Sequence, residues 1–230
     1  MARYDFVLFD ADNTLFDFDM AESRALHTVL EERGFRVTQA LTERYHAVNR
    51  DLWARFDRGE AAQSWLLVER FAVLLRELGS SEDPARMNQD YLRQLGICGA
   101  LLPGAQELCN ALAPHCTMAI ITNGASIAQR GRFEASPIRG LFAGLFISEE
   151  MGCQKPQTEF FDHVRRDMDI AEPTRAVVVG DNLRTDILGG RNAGLDTIWY
   201  NPRRLAGDPV IVPSWEANSF ADVRHVILDD

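Results

Sequence analysis

The chain has 230 residues and a formal net charge of −10, from 24 Lys and Arg against 34 Asp and Glu. The length fits one large domain or one domain with a sizeable insertion, and the balance of 46% hydrophobic and 25% charged residues excludes bulk disorder and fibrous repeats. The acidic balance excludes a general nucleic-acid-binding role, and it requires any site for an anionic ligand to be locally positive or to hold a metal ion.

The sequence predicts neither a membrane anchor nor an exported, disulfide-bonded protein. No apolar run approaches the ~18 residues of a transmembrane helix. The N-terminus passes from Arg3 into a short run broken by Asp5, which is unlike a signal peptide. The four cysteines form no C-x-x-C pair and lie at no zinc-ligand spacing with a histidine. We therefore expect reduced thiols, a cytoplasmic location and no membrane partner.

The first predicted strand is a short β-rich run at 4–9. Over about 18–95 no convincing strand follows, and apolar residues recur at helical spacing, as in the series from Leu41 to Phe56 with steps of four, three, four and four. Asp83, followed by proline, is typical of a helix N-cap with proline at the first helical position. This region is therefore predicted to be a helical insertion.

After residue 101 the signals of strand and helix alternate. Strands are expected at 116–121, around 145–147, at 176–179 and at 197–199, and helices at 103–112, from about 126, at 155–168, near 185–192 and at 220–227. This alternation predicts parallel βαβ units with strands buried on both faces. The simplest assembly returns the first strand to the later sheet. The predicted fold is α/β, with a Rossmann-like parallel sheet core formed by 1–16 and 101–230 and an inserted all-helical cap at 17–100.

Two acids follow the first strand at its carboxyl end, which is the end where open parallel sheets bind ligands. Asp10 and Asp12 are two residues apart and can be aimed into one cleft. Holding two carboxylates together is costly unless a cation neutralises them, and a divalent metal with oxygen ligands does so. The alternative is a solvated turn with acidic caps, since Asp is common in turns.

Polar groups follow the second strand and precede a later helix. Thr122, Asn123 and Gly124 offer a hydroxyl, an amide and backbone N–H groups that can cradle an anion, with an ordinary β-turn as the alternative. Lys155 and Pro156 stand at the expected start of a helix, where a cation opposes the helix dipole unless an anion lies nearby. The alternative is an exposed, solubilising lysine.

Acids also follow a strand rich in valine. Asp181 comes at its end and Asp186 five residues later, so both are candidate metal ligands, with Asp186 either a ligand or a group that orients one. The alternative is that Asp181 caps the next helix.

Four separate strand or helix ends thus place acids, a hydroxyl and a lysine at one edge of the predicted sheet. A carboxylate nucleophile, a metal, a fixed cation and a hydroxyl suit phosphoryl transfer.

These four motifs, in this order and spacing, resemble those of the haloacid dehalogenase-like hydrolase superfamily, and the helical insertion resembles its class I cap. More narrowly, the chain is similar to the bacterial pyrimidine 5′-nucleotidases, which dephosphorylate dUMP, UMP, dTMP and non-canonical pyrimidine nucleotides. The segments outside the motifs that carry this closer resemblance are 16–19, 47–53, 147–150 and 186–190.

The resemblance implies a role for each motif residue. Asp10 would attack phosphorus and form an aspartyl-phosphate, while Asp12 would protonate the leaving oxygen and then activate water. The implied ligands of Mg²⁺, with Mn²⁺ as an alternative, are Asp10, Asp12 through its backbone carbonyl, and Asp181, with Asp186 nearby. Thr122, Asn123 and Gly124 would hold phosphate oxygens, and Lys155 would bind the substrate and offset the charge on Asp10 and the transferring group. Thr122 and Lys155 thus join Asp10 and Asp12 as implied catalytic residues.

Two features separate this interpretation from other branches of the superfamily. The dehalogenases lack the second aspartate, because halide needs no proton, whereas Asp12 is present here. The phosphonate hydrolases use a cap lysine, and there is no lysine between Phe16 and Leu101. A helical stripe that includes Arg50 and Trp53 is expected to flank a nucleobase, and packing within the cap is the alternative.

Three functions remain open from the sequence. The first is a Mg²⁺-dependent nucleotidase that acts on a small phosphate ester, a pyrimidine nucleoside monophosphate, as a monomer or homodimer. The second is a phosphatase or phosphomutase of the same family that acts on a sugar phosphate or phosphoglycolate. The third is a non-catalytic protein that binds a nucleotide or a partner, which is disfavoured because every catalytic position is filled. No nucleic acid polymer is expected as a partner.

Overall fold

The structure, a computed structural model, describes residues 2–229. Six parallel strands form one sheet in the order β3-β2-β1-β4-β5-β6. The strands are β1 (Phe6–Phe9), β2 (Thr117–Thr122), β3 (Phe142–Ile147), β4 (Ala176–Gly180), β5 (Asp196–Tyr200) and β6 (Trp215–Ala217). The strand order reverses direction between β1 and β4, and ligands bind such sheets at the carboxyl ends of the strands beside that point.

Within residues 2–229, four α-helices stand between β1 and the rest of the core, and six more follow. The first four are α1 (Phe18–Glu31), α2 (Gln39–Asp57), α3 (Gln63–Glu77) and α4 (Pro84–Gly96). The others are α5 (Ala105–Leu112), α6 (Ser126–Glu134), α7 (Ser148–Met151), α8 (Thr158–Asp167), α9 (Leu188–Asn192) and α10 (Phe220–Leu228). The predicted α/β fold, a Rossmann-like parallel sheet with a helical insertion after the first strand, is confirmed.

Strand alternation explains how the sheet buries both faces. Val7 and Phe9 of β1 pack on the side covered by α5 and α10, while Leu8 packs on the side covered by α8. The helical insertion has a separate buried cluster, centred on residues such as Leu26 and Phe71, which also touches α6. Fully burying each such side chain contributes about 1.5–3 kcal/mol.

Side-chain hydrogen bonds cap the starts of two helices of the insertion, α4 and α2. The Asp83 side chain accepts a hydrogen bond from the Ala85 backbone N–H at 2.9 Å, and proline follows at the first helical position, as predicted. Thr38 caps α2 in the same way, by accepting from the Leu41 N–H at 3.2 Å. Over residues 2–229, no helix is both long and apolar enough to cross a lipid bilayer.

Two features of the core differ from the sequence prediction. The edge strand β6 was missed, because three residues are too few to show a two-residue periodicity. The helix expected near 185–192 begins earlier with a wider π-helical turn at Leu183–Ile187, and α9 covers only its second half. The wider turn carries Asp186, and such turns are often found at functional sites.

Candidate active site

Three carboxylates meet at the reversal point of the sheet. Asp10 follows β1 and Asp181 follows the neighbouring β4, while Asp186 lies in the wide turn after β4. One carboxylate oxygen of each lies within 4.8 Å of the others. The structure therefore brings together three acids of which the first and the last, Asp10 and Asp186, are 176 positions apart in the sequence.

Burial makes this cluster electrostatically unfavourable by itself. It raises the pKa of Asp10 to about 7, with the charges of Asp186 and Asp12 adding to the effect and Lys155 opposing it. Burial also raises the pKa of Asp181 well above its usual value, again with the charges of Asp10 and Asp186 adding. Hard oxygen donors crowded in this way fit a divalent cation such as Mg²⁺, which would restore their ionised form.

Lys155 supplies the positive charge that the cluster holds within the protein. Its Nζ donates to Asp10 Oδ1 at 2.7 Å, to Asp186 Oδ1 at 2.6 Å and to the Ile121 carbonyl oxygen at 3.0 Å, so all three of its N–H groups are used. Burial alone would lower the pKa of Lys155, but the charges of Asp10 and Asp186 outweigh it and the net shift is upward. It is also the only lysine of the chain, since every other basic residue of the Lys and Arg class is arginine.

The prediction that Lys155 and Pro156 open a helix is wrong. Helix α8 begins at Thr158, and Lys155 lies in the preceding loop. Its backbone N–H donates to Asn123 Oδ1 at 3.0 Å and its carbonyl accepts from Asn123 Nδ2 at 2.9 Å. Because the Asn123 side chain holds both groups, the lysine backbone is fixed against the end of β2 rather than in a helix.

The turn after β2 brings the predicted anion-binding residues next to this lysine. The Thr122 hydroxyl is buried and accepts from the Gly124 N–H at 3.0 Å. A Cβ atom on Gly124 would lie 2.1 Å from Gln129 Nε2, so the absence of a side chain there makes room for Gln129. The Asn123 carbonyl accepts from Gln63 Nε2 of the helical insertion at 2.9 Å, which ties α3 to the same turn.

Asp12 is held by two residues of α6 that the sequence analysis missed. Gln129 Nε2 donates to Asp12 Oδ2 at 2.6 Å, and Arg132 Nη1 donates to Asp12 Oδ1. The Arg132 side chain is fully buried, and its guanidinium lies over the rings of Phe16 and Phe18. Gln129 and Arg132 are three residues apart and so share a helix face, but the sequence does not say where that face points.

Supporting contacts hold the loop that carries Asp181 and Asp186. The Asp181 N–H donates to Thr14 Oγ1 at 3.1 Å, and its carbonyl accepts from Trp199 Nε1 at 2.9 Å. The Asn182 N–H donates to Asp186 Oδ2 at 3.1 Å, so both oxygens of Asp186 have donors. The helix after β4 is capped by Asn182, which excludes the alternative in which Asp181 is that cap.

A cavity of about 710 Å³ extends from this cluster to the helical insertion. Trp53 lies on its wall and packs edge to face on Phe56, with ring centroids 5.4 Å apart. Asp57, at the end of α2, also lines it. Burial raises the pKa of Asp57 to about 6, with the charge of Asp186 adding to the effect. The cavity is within the size range of small-molecule sites and lies between the sheet edge and the inserted helices.

Comparison with known proteins identifies the family. The model of the haloacid dehalogenase-like hydrolases matches residues 4–194. The chain belongs to the haloacid dehalogenase-like hydrolase family. This membership confirms the predicted resemblance and the prediction that the protein is an enzyme of the hydrolase class.

Relatives within the haloacid dehalogenase-like hydrolases cover nearly the whole chain. The pyrimidine 5′-nucleotidase PynA of Streptococcus pneumoniae is 35% identical, over 96% of this chain and 93% of its own. The pyrimidine 5′-nucleotidase YjjG of Escherichia coli is 32% identical, over 98% of both chains.

Solved structures agree with this membership. The crystal structure of the HAD-hydrolase YfnB of Bacillus subtilis bound to magnesium is 34% identical, covers 97% of this chain and 98% of its own, and superposes with a TM-score of 0.92. The L-2-haloacid dehalogenase of Xanthobacter autotrophicus, 21% identical, covers 97% of this chain and 98% of its own with a TM-score of 0.71, which concerns the fold alone.

Proposed function

We propose that this protein is a Mg²⁺-dependent phosphatase that hydrolyses pyrimidine nucleoside 5′-monophosphates through an aspartyl-phosphate intermediate. The observation that carries the proposal is the position of Lys155, which donates to both Asp10 and Asp186 where two parallel strands end. The substrate class is supported by the nucleotidases PynA and YjjG, which are similar to this chain over nearly its full length.

In the first step Asp10 acts as the nucleophile. Lys155 holds Asp10 Oδ1, so we assign the attack on phosphorus to Oδ2, which forms a new P–O bond while the bond to the nucleoside oxygen breaks. Asp12 starts this step protonated, on a lone pair that neither of its two hydrogen-bond donors from α6 occupies, and gives that proton to the leaving oxygen to become the carboxylate. The Thr122 hydroxyl and backbone N–H groups of the following turn bind the oxygens of the transferring group, and Lys155 offsets its negative charge.

In the second step the intermediate is hydrolysed. Asp12 now takes a proton from water, the water oxygen attacks phosphorus, and the bond to Asp10 breaks to release phosphate and the free carboxylate. Gln129 and Arg132 hold the Asp12 carboxylate in one position through both steps. Mg²⁺, held by Asp10, Asp181 and the Asp12 carbonyl with Asp186 beside them, would neutralise the crowded carboxylates and the phosphoryl oxygens.

We also propose the division into a core of 1–16 and 101–230 and a cap of 17–100. It is supported by the separate buried cluster of the inserted helices. Contacts between the two parts include Gln63 Nε2 to the Asn123 carbonyl and Gln154 Nε2 to the Phe56 carbonyl, at 2.9 and 3.4 Å. Asn123 lines the cavity, so the first of these contacts ties the cap to the site, and the cap would close over the substrate.

A screen of phosphate esters, with Mg²⁺ or with EDTA, tests the proposal. We expect turnover of dUMP, UMP and dTMP above that of sugar phosphates and phosphoglycolate, and loss of turnover in EDTA. A bias to sugar phosphates would replace the substrate class but keep the chemistry. Turnover that survives EDTA, or no turnover of any ester, would overturn the phosphatase mechanism itself.

A further inference from the structure

The inserted helices bury a connected chain of polar side chains. His46 Nδ1 lies 2.6 Å from Glu22 Oε2, and Glu22 Oε1 accepts from Asn49 Nδ2 at 2.6 Å. Arg70 then donates to Asn49 Oδ1 from Nη1 at 3.2 Å and to Asn88 Oδ1 from Nη2 at 2.8 Å. We call these five residues the cap network.

The cap network lies where a helical bundle normally places apolar residues. Glu22, Asn49, Arg70 and Asn88 are between 2% and 6% exposed. Buried charged and polar groups of this kind give little net stability, because removing them from water costs about as much as their pairing returns. Stability of the bundle therefore does not by itself explain the network, and a ligand-binding role is open to those of its members that reach the cavity.

Four of the five network residues line the cavity that holds Asp10 at its other side. They are Glu22, His46, Asn49 and Arg70. Asn88 is not among the residues of the cavity wall, although it accepts from the same guanidinium and is buried to the same degree as Asn49. The two asparagines thus share Arg70 as a donor, but only Asn49 lines the cavity and donates to Glu22.

The neighbours of Asn49 fix the orientation of its amide. A guanidinium has no acceptor, so Arg70 must face the amide oxygen, while the Glu22 carboxylate accepts from the amide nitrogen on the other side. A flipped amide would lose both bonds. An amide has two N–H donors and two oxygen lone pairs, so one of each remains for a ligand.

We propose that Asn49, oriented by Glu22 and Arg70, recognises the adjacent N–H and C=O groups on the edge of the substrate's pyrimidine ring. This inference rests on the proposed nucleotidase function and deepens it. Trp53 lies four residues further along α2 and on the same cavity wall, so its ring is available to pack on the base whose edge Asn49 binds.

The test compares Asn49→Ala with its matched control Asn88→Ala. For each, kcat/KM is measured for UMP and for p-nitrophenyl phosphate, which has no base. Losing a base-edge hydrogen bond should lower the UMP to p-nitrophenyl phosphate ratio about tenfold in Asn49→Ala. The ratio should stay at the wild-type value in Asn88→Ala, because that variant also removes an acceptor of Arg70 but removes nothing from the cavity wall.

A second test changes the substrate instead of the protein, so its result does not depend on whether a variant folds. In the wild-type enzyme, 3-methyluridine 5′-monophosphate, which lacks the ring N–H, should be hydrolysed about tenfold less efficiently than UMP. Equal efficiency, or an equal fall of the ratio in Asn49→Ala and Asn88→Ala, would overturn the inference while the nucleotidase function stands. A wild-type enzyme without preference for UMP would overturn both.

Discussion

The core and the cap both bury charge, but they balance it differently. Around Asp10 the core places three carboxylates against one ammonium, an arrangement that burial makes unfavourable until a cation binds. In the cap, Glu22 lies between His46 and the amide of Asn49, which in turn accepts from Arg70, so the charges are satisfied within the protein. In the proposed functions, the unbalanced charge belongs to the chemical centre, and the balanced polar groups belong to a surface that binds by shape and hydrogen bonding.

The largest effect is expected from the core, for Asp10→Asn. The amide keeps an oxygen that can accept from Lys155, so the fold should persist, but an amide is a poor nucleophile. Turnover should fall at least ~10³-fold, measured with saturating Mg²⁺ and substrate. Asp162→Asn, an exposed acid beside Arg165, is the control and should retain activity. Full turnover in Asp10→Asn would remove the assignment of the nucleophile.

The next largest effect is expected for Lys155→Arg, which tests whether position 155 requires lysine rather than arginine. The ammonium of Lys155 sits among three acceptors in a fully buried position, and the larger planar guanidinium cannot take that place without moving them. Lys155→Arg should lower kcat at least ~10²-fold although the charge is conserved. The reverse exchange Arg139→Lys, at an exposed pair with Glu134, should be silent. Wild-type kcat in Lys155→Arg would mean that charge alone suffices.

The features that the sequence predicts, and those that it does not, also differ between the core and the cap. The motif acids were found because each lies at the carboxyl end of a strand, and parallel strands bring those ends to one edge. The partners of Asp12 could not be found, since the bond to Arg132 spans 120 positions and depends on the direction of one face of α6. The loop position of Lys155 depended on a side chain, Asn123, that binds its backbone.

In the cap, periodicity gave the helices but not their chemistry. Arg70 lies on the buried face of α3 between Leu67 and Phe71, so its position in the pattern already marks it as buried. Which groups on α2 and α4 would meet it is decided by how the helices pack, and one sequence does not contain that. The predicted place of Trp53 at a base remains a prediction, although the residue lies on the cavity wall.

A smaller effect on kcat is expected for Arg132, which lies where the core meets the segments that join it to the cap. Arg132 bonds Asp12, stacks on Phe16 and Phe18, and donates from Nε to the Cys98 carbonyl at 3.3 Å. Arg132→Met should lower kcat about tenfold with little change in KM, because Asp12 is then held by Gln129 alone.

Two further variants separate positioning from loss of structure. Arg130→Met lies on the same helix but pairs with Glu150 at the surface, so its kcat should be unaffected. Arg132→Lys keeps a charge that can reach Asp12 and should recover part of the rate. If Arg132→Met and Arg130→Met behave alike, Arg132 does not position Asp12.

The smallest effect is the pH dependence of thermal stability that we expect from His46, in the cap. The hydrogen bond that the His46 ring donates to Glu22 raises the pKa of His46, and burial opposes it only in part. Since the folded pKa lies above the unfolded value of about 6.5, protonation of His46 stabilises the fold. That contribution is complete below pH ~6.5 and is lost as the pH rises through the folded pKa. His46→Gln should therefore lower Tm by about 2–4 °C at pH 6 and by less at pH 9, measured by thermal unfolding. His115→Gln, at an exposed histidine, is the control and should show no such pH-dependent difference in Tm. If the loss of Tm in His46→Gln instead grows with pH, the positive charge on the His46 ring is not what stabilises the cap network.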